Sequence, residues 1–122
     1  MIGMYETVLP KDVPAKMEEL LEWYHSQPLK ELSYMAEFHA KYEAIHPFQD
    51  GSGRIGRLIL FRECLKYNLI PLIIEAKYRT KYIEGLKEYR ETGRVGALLK
   101  LFEEEQKNFL EKIAYFLCED VR

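Results

Sequence analysis

An all-α bundle is the fold class that the sequence predicts, and three observations carry it. Apolar residues recur at helical spacing in successive stretches of the chain. Proline and glycine stand between those stretches. The one short β-branched run, at residues 68–75, is interrupted by Pro71, which leaves it as a crossing loop or a single strand.

The elements follow in order. Residues 8–14 hold Pro10 and Pro14 and read as an extended or turn-like segment, because each proline fixes φ and restricts the residue before it. Pro14 suits a first helical turn, and Met17, Leu20, Leu21 and Tyr24 fall at i, i+3, i+4 and i+7 behind it. That helix stops before Pro28. Leu32, Met35, Phe38, Tyr42 and Ile45 stripe a second helix, ended by Pro47. Residues 55–67 are apolar almost all round, which predicts a helix buried at the centre of the fold. Tyr78, Tyr82, Leu86 and Tyr89 stripe a fourth helix that breaks at Gly93. Val95, Leu98, Leu99 and Phe102, then Phe109, Leu110, Ile113 and Leu117, make one long helix or two abutting ones, with the acidic run 103–105 as a solvated face.

The 122 residues suit a single domain, 1–122, with no internal repeat or linker. Eighteen Lys+Arg against twenty Asp+Glu give a net charge of -2, without the clustered basic excess of a nucleic-acid binder. No apolar run approaches the roughly 20 residues that span a bilayer, and the start lacks the basic-then-apolar layout of a secretory signal. Cys64 and Cys118, far apart in apolar helical contexts, read as reduced core thiols rather than a disulfide or a zinc site. The expectation is a soluble cytoplasmic domain acting on neither membrane nor nucleic acid.

Chemistry concentrates in residues 46–57: His46-Pro47-Phe48-Gln49-Asp50-Gly51-Ser52-Gly53-Arg54-Ile55-Gly56-Arg57. A loop with two glycines opens into a helix, whose first N–H groups have no partner within the helix and carry partial positive charge. Gly51 and Gly53 allow successive N–H groups around Ser52 to converge on one anion. Arg54 and Arg57, one turn apart, add two fork-shaped cations on the same side. Asp50 is the one acid there and would serve as a Mg²⁺ ligand beside phosphates, while His46 is a candidate general base. These residue types predict nucleotide-dependent group transfer. A dinucleotide fingerprint, Gly51-x-Gly53-x-x-Gly56 with Glu75 as the ribose acid, fails because no strand precedes the first glycine. A P-loop fails because no Gly-Lys-Ser/Thr follows.

Residues 46–57 resemble the Fic family motif H-x-F-x-D-G-N-G-R-x-x-R at every defined position but one. The resemblance extends to a Val/Pro-containing flap before a helix with Met, Leu-Leu and Trp, similar to residues 8–23, and to an Arg-x-x-Tyr helix, similar to Arg79-Thr80-Lys81-Tyr82. It implies a Fic-type helical bundle with a short extended flap over 1–13, a candidate β-hairpin. The implied activity is transfer of AMP from ATP to a Ser, Thr or Tyr hydroxyl of a target protein. Carried over by position, His46 deprotonates the hydroxyl and Asp50 holds Mg²⁺. Gly51, Ser52 and Gly53 bind the α-phosphate region, Arg54 the β-phosphate and Arg57 the γ-phosphate. Phe48 anchors the loop. Thr7, Val8 and Leu9 form the flap edge that aligns a target strand, and Tyr82 and Tyr89 are candidates for the adenine side.

Ser52 stands where the family has Asn, which keeps a donor but shortens its reach. Two alternatives therefore accompany the transferase reading: a Fic-like nucleotide- or partner-binding domain with weak catalysis, and a phosphotransferase using the γ-phosphate. Many Fic proteins carry an inhibitory helix, [ST]-x-x-x-E-[GN], whose Glu pairs with the second motif Arg. Thr80-Lys81-Tyr82-Ile83-Glu84-Gly85 matches literally but falls in the Arg-x-x-Tyr helix, where a coincidental match is expected. Either a separate small inhibitor protein supplies that glutamate, or the chain lacks self-inhibition. His25 and His39 are expected at surface or boundary positions.

Overall fold

A computed structural model of the chain describes residues 8–28, 30–45 and 52–120, apart from the side chains of residues 52 and 118–120. Among the described residues there are five α-helices and no strand: α1 Val13–His25, α2 Leu32–Ile45, α3 Ser52–Lys66, α4 Arg79–Thr92 and α5 Gly96–Asp120. Residues 68–75 form a loop, and the alternative of a single strand is set aside. The domain is all-α, as its periodicity predicts.

Val8 and Leu9 lead in without helical structure, with Leu9 extended at φ -63° and ψ 142°. A 3-10 turn at Pro10–Asp12 follows, and Pro14 sits in the first turn of α1, where a missing N–H costs nothing. Ser26 closes α1 by donating its hydroxyl to the Trp23 carbonyl at 2.6 Å. Leu20 and Tyr24 are buried against Phe38, Tyr42 and Ile45 of α2. From α2's other side, Met35, Ala36 and Ala40 join Leu60, Cys64, Leu72, Tyr82, Leu98, Leu101 and Phe102 in the larger cluster. Lys30, in the α1–α2 link, is 5% exposed, and its ammonium lies 4.6 Å from the Tyr24 ring centroid, a cation–π contact.

α2 is thus the central helix, packed on α1, α3, α4 and α5. This corrects the expectation for residues 55–67. α3 buries Leu60 and Cys64 but leaves Leu58 64% and Leu65 55% exposed. An apolar surface all round a helix does not by itself provide a partner for each side. α4 ends at Gly93, whose φ of 74° lets its N–H reach back to the Tyr89 carbonyl at 2.7 Å.

α5 is one helix, not two. At about 1.5 Å per residue its 25 residues run for roughly 37 Å, against about 20 Å for α1. Its first half buries Leu98, Leu101 and Phe102; its second half exposes Leu110, Ile113, Phe116 and Leu117. The acidic run is not wholly solvated. Glu105 is buried and continues the stripe of Leu98, Leu101 and Phe102. It accepts the Glu75 N–H at 2.6 Å and the Asn108 side-chain N–H at 2.9 Å, so it ties the α3–α4 loop to α5. No described helix is long and apolar enough to cross a membrane.

Candidate active site

Helix α3 begins at Ser52, so the N–H groups of its first turn, which have no partner within the helix, start inside the stretch singled out by the sequence. His46, Phe48, Asp50 and Gly51 lie outside the described residues, as do Thr7 and the side chain of Ser52. Of the flap residues, Val8 packs on the Leu20–Tyr24 cluster and Leu9 is 58% exposed.

Arg54 and Arg57 both line a cavity of about 330 Å³ whose other walls are Leu58, Leu60, Phe61, Leu72, Ile73 and Ile74. A second cavity, of about 290 Å³ and bordered by Glu75, Lys77 and Lys112, contains no motif residue. Arg57 folds back along its own helix. A Cβ placed on Gly53 would lie 3.2 Å from its Nη1, so the guanidinium lies over the first turn of α3.

The wall behind Arg57 is polar and buried. One residue before it, Gly56 faces α2 so closely that a Cβ there would meet Glu43 Oε1 at 2.6 Å and the Tyr42 ring at 2.8 Å. Only glycine leaves room for that carboxylate against α3. His39, one turn before Glu43, is 1% exposed; this corrects the surface or boundary position expected for it, whereas His25 is exposed. The His39 Nε2 lies 2.6 Å from the Tyr82 hydroxyl of α4 and 3.8 Å from Glu43 Oε1.

Electrostatics fixes the direction of these contacts. Burial, then the Arg57 charge, holds the His39 pKa down to about 3, against an opposing backbone hydrogen bond at Gly56. The imidazole is therefore neutral, and its approach to Glu43 is not an ion pair. Burial, then the Glu43 charge, pushes the Tyr82 phenol up, while Arg57 acts against both as a nearby charge and a hydrogen-bond donor. A protonated Tyr82 that accepts from Arg57 gives its own proton to His39 Nε2, which assigns the ring proton to Nδ1. Burial also raises the Glu43 pKa, opposed by Arg57.

Tyr89 lies elsewhere on α4, donating to Glu37 of α2 at 3.1 Å; burial, then that bond, pushes its pKa up to about 12. Glu84 is exposed, and Gly85 is buried where a Cβ would lie 3.1 Å from Leu98 Cα. Thr80–Gly85 thus has a packing reason for its glycine. Among the described residues no group of three His, Cys, Asp or Glu side chains is arranged for a metal. The cation implied by the resemblance would use Asp50 and phosphate oxygens, a different arrangement that the described residues do not include.

Glu43 is the residue that sequence reasoning passed over, and His39 the one it placed at the wrong depth. The available signal was their i, i+4 spacing, on a helix whose neighbouring stripe was otherwise apolar.

Five helices, four of them packed on α2, with Arg54 and Arg57 in the first two turns of α3, define the class of fold. The sequence model of the Fic/DOC family matches residues 3–64, and the chain belongs to that family. It is 36% identical over 81 residues to proteins named protein adenylyltransferase Fic from Drosophila virilis, Drosophila sechellia and Drosophila melanogaster. Each match covers 64% of this chain, and the chain spans only 16–17% of the length of those relatives.

Proposed function

We propose that this chain is a protein adenylyltransferase, which moves AMP from ATP to a Ser, Thr or Tyr hydroxyl of a target protein. The observation that carries the reading is the Arg57 guanidinium folded over the first turn of α3. Family membership and the names of the relatives support it. In this reading the target oxygen attacks the α-phosphorus, the new O–P bond forms, and the bond to the bridging oxygen breaks to release pyrophosphate. His46 takes the proton of the attacking hydroxyl. Gly51, Ser52 and Gly53 hold the α-phosphate region, Arg54 the β-phosphate and Arg57 the γ-phosphate, so charge on the leaving group meets cations already in place. Asp50 would hold Mg²⁺, which supplies charge neutralisation across the phosphates. Val8 and Leu9, with Thr7, offer a backbone edge to the target. We place this activity in the cytoplasm.

Incubation of the chain with lysate and α-labelled or γ-labelled ATP tests the reading. Protein label from the α position alone is expected, reduced ~10²–10⁴-fold by His46→Ala, the usual cost of losing a general base. Label from γ alone replaces the reading with phosphoryl transfer. ATP binding with neither label replaces it with a binding domain.

A further inference from the structure

Arginine has a long, flexible side chain, so a phosphate-binding guanidinium gains from contacts that hold it before the ligand arrives. Here the contacts come from helices outside the motif. Tyr82 is 7% exposed, and its hydroxyl lies 2.6 Å from His39 Nε2. The His39 ring itself is packed edge-on to Phe102 at 5.8 Å between centroids, so neither partner is free to turn. The phenol oxygen of Tyr82 faces Arg57, whose Nη1 reaches the first turn of α3 at Gly53.

We propose that Tyr82, locked by His39, is a positioning residue for Arg57: it holds the guanidinium over the start of α3, where the cation and the helix N–H groups meet one phosphate chain. The inference rests on the phosphate role proposed for Arg57. It gives Tyr82 a task through its hydroxyl, distinct from a place at the adenine, and gives the buried His39 a reason to be polar. In this arrangement Arg57 donates to Tyr82 and Tyr82 donates to His39, whose Nε2 lies 3.8 Å from Glu43 Oε1 in the α2–α3 seam.

Tyr82→Phe removes the oxygen and keeps the ring, so the variant retains its packing. Calorimetric titrations with ATP, AMP and inorganic tripolyphosphate in the presence of Mg²⁺ test it in the wild-type and Arg57→Ala backgrounds. Losing one hydrogen bond to a charged group predicts about three- to tenfold weaker binding of ATP and tripolyphosphate, with AMP changed less than twofold. In the Arg57→Ala background Tyr82→Phe should change nothing further. A second readout needs no ligand: the ¹⁵N signals of the Arg57 Nη groups should be separate and slowly exchanging in the wild type and merge in Tyr82→Phe. Equal losses for AMP and ATP, or a loss that adds to that of Arg57→Ala, would reveal a structural role and overturn the inference. So would unchanged Arg57 signals, or a wild-type chain that binds no tripolyphosphate. The expected tripolyphosphate pattern without AMP transfer would keep the inference and remove the transferase reading.

Discussion

A histidine in a core is useful as an acceptor only while it stays neutral, and His39 is kept neutral by burial and by the Arg57 charge. That neutrality has a consequence for stability. Its pKa is held to about 3 in the fold against about 6.5 in an unfolded chain, so between those values the unfolded state binds more protons. The contribution is complete above pH 6.5 and is lost as the pH falls below it, by at most about 1.4 kcal/mol per pH unit. The groups facing His39 are Tyr82, Glu43 and Arg57. Tyr82, its phenol pushed up, stays protonated throughout, while Glu43, with its raised pKa, offsets part of the loss as the pH falls through its folded value. Glu75, lowered by Lys112, acts only below the ordinary carboxylate range. Urea unfolding at pH 7.5, 6.5 and 5.5 should lose about 1 kcal/mol over the last step, and His39→Asn should flatten it. A flat wild-type profile would mean that His39 is protonated in the fold.

On α4, a buried phenol and an exposed carboxylate stand two positions apart, and at about 100° per residue they point to opposite sides. Tyr82 faces Arg57, so Glu84 faces solvent, on the side of α4 turned away from the motif arginine. Glu84→Gly should therefore leave AMP transfer unchanged and cost about 1 kcal/mol through helix propensity, seen as a few degrees in thermal melting. A tenfold rise in transfer would make that segment the inhibitor after all. Periodicity made α1 through α5 readable, because a stripe at i, i+3, i+4 and i+7 is a local property of the sequence. Which helix is central was not readable in the same way. The stripe of residues 55–67 and that of α2 are both strongly apolar, and only the tertiary arrangement gives α2 four neighbours and leaves Leu58 and Leu65 bare. Charged residue types misled for a related reason. Glu105 sits at a core position because a loop N–H and Asn108 meet it there, and the loop partner, at Glu75, is distant in sequence. The candidate motif from His46 to Arg57 is a linear pattern and so is read directly from the sequence, whereas the contacts of α2 and α4 behind Arg57 are not.

Across the whole molecule the buried and bare apolar surfaces are separate. Leu72, in the loop between α3 and α4, is 1% exposed and belongs to the cluster that joins α2, α3, α4 and α5. Leu65, one residue before the end of α3, is 55% exposed, on the chain that also bares Leu58, Ile73 and the second half of α5. The two leucines have the same chemistry and should differ in effect. Leu72→Ala removes buried methyl groups and leaves a cavity, at a cost of about 2–5 kcal/mol. Leu65→Ser exchanges an exposed apolar side chain for a polar one and should stay within about 0.5 kcal/mol. Chemical denaturation of both variants, with the melting temperature followed over a hundredfold range of protein concentration, measures the contrast. If Leu65→Ser costs more than about 1 kcal/mol and the wild-type melting temperature rises with concentration, the face is covered in solution by a second copy. The same cost with no concentration dependence would instead mean that Leu65 is packed within the single chain, and the exposed face of α3 assigned here would be wrong.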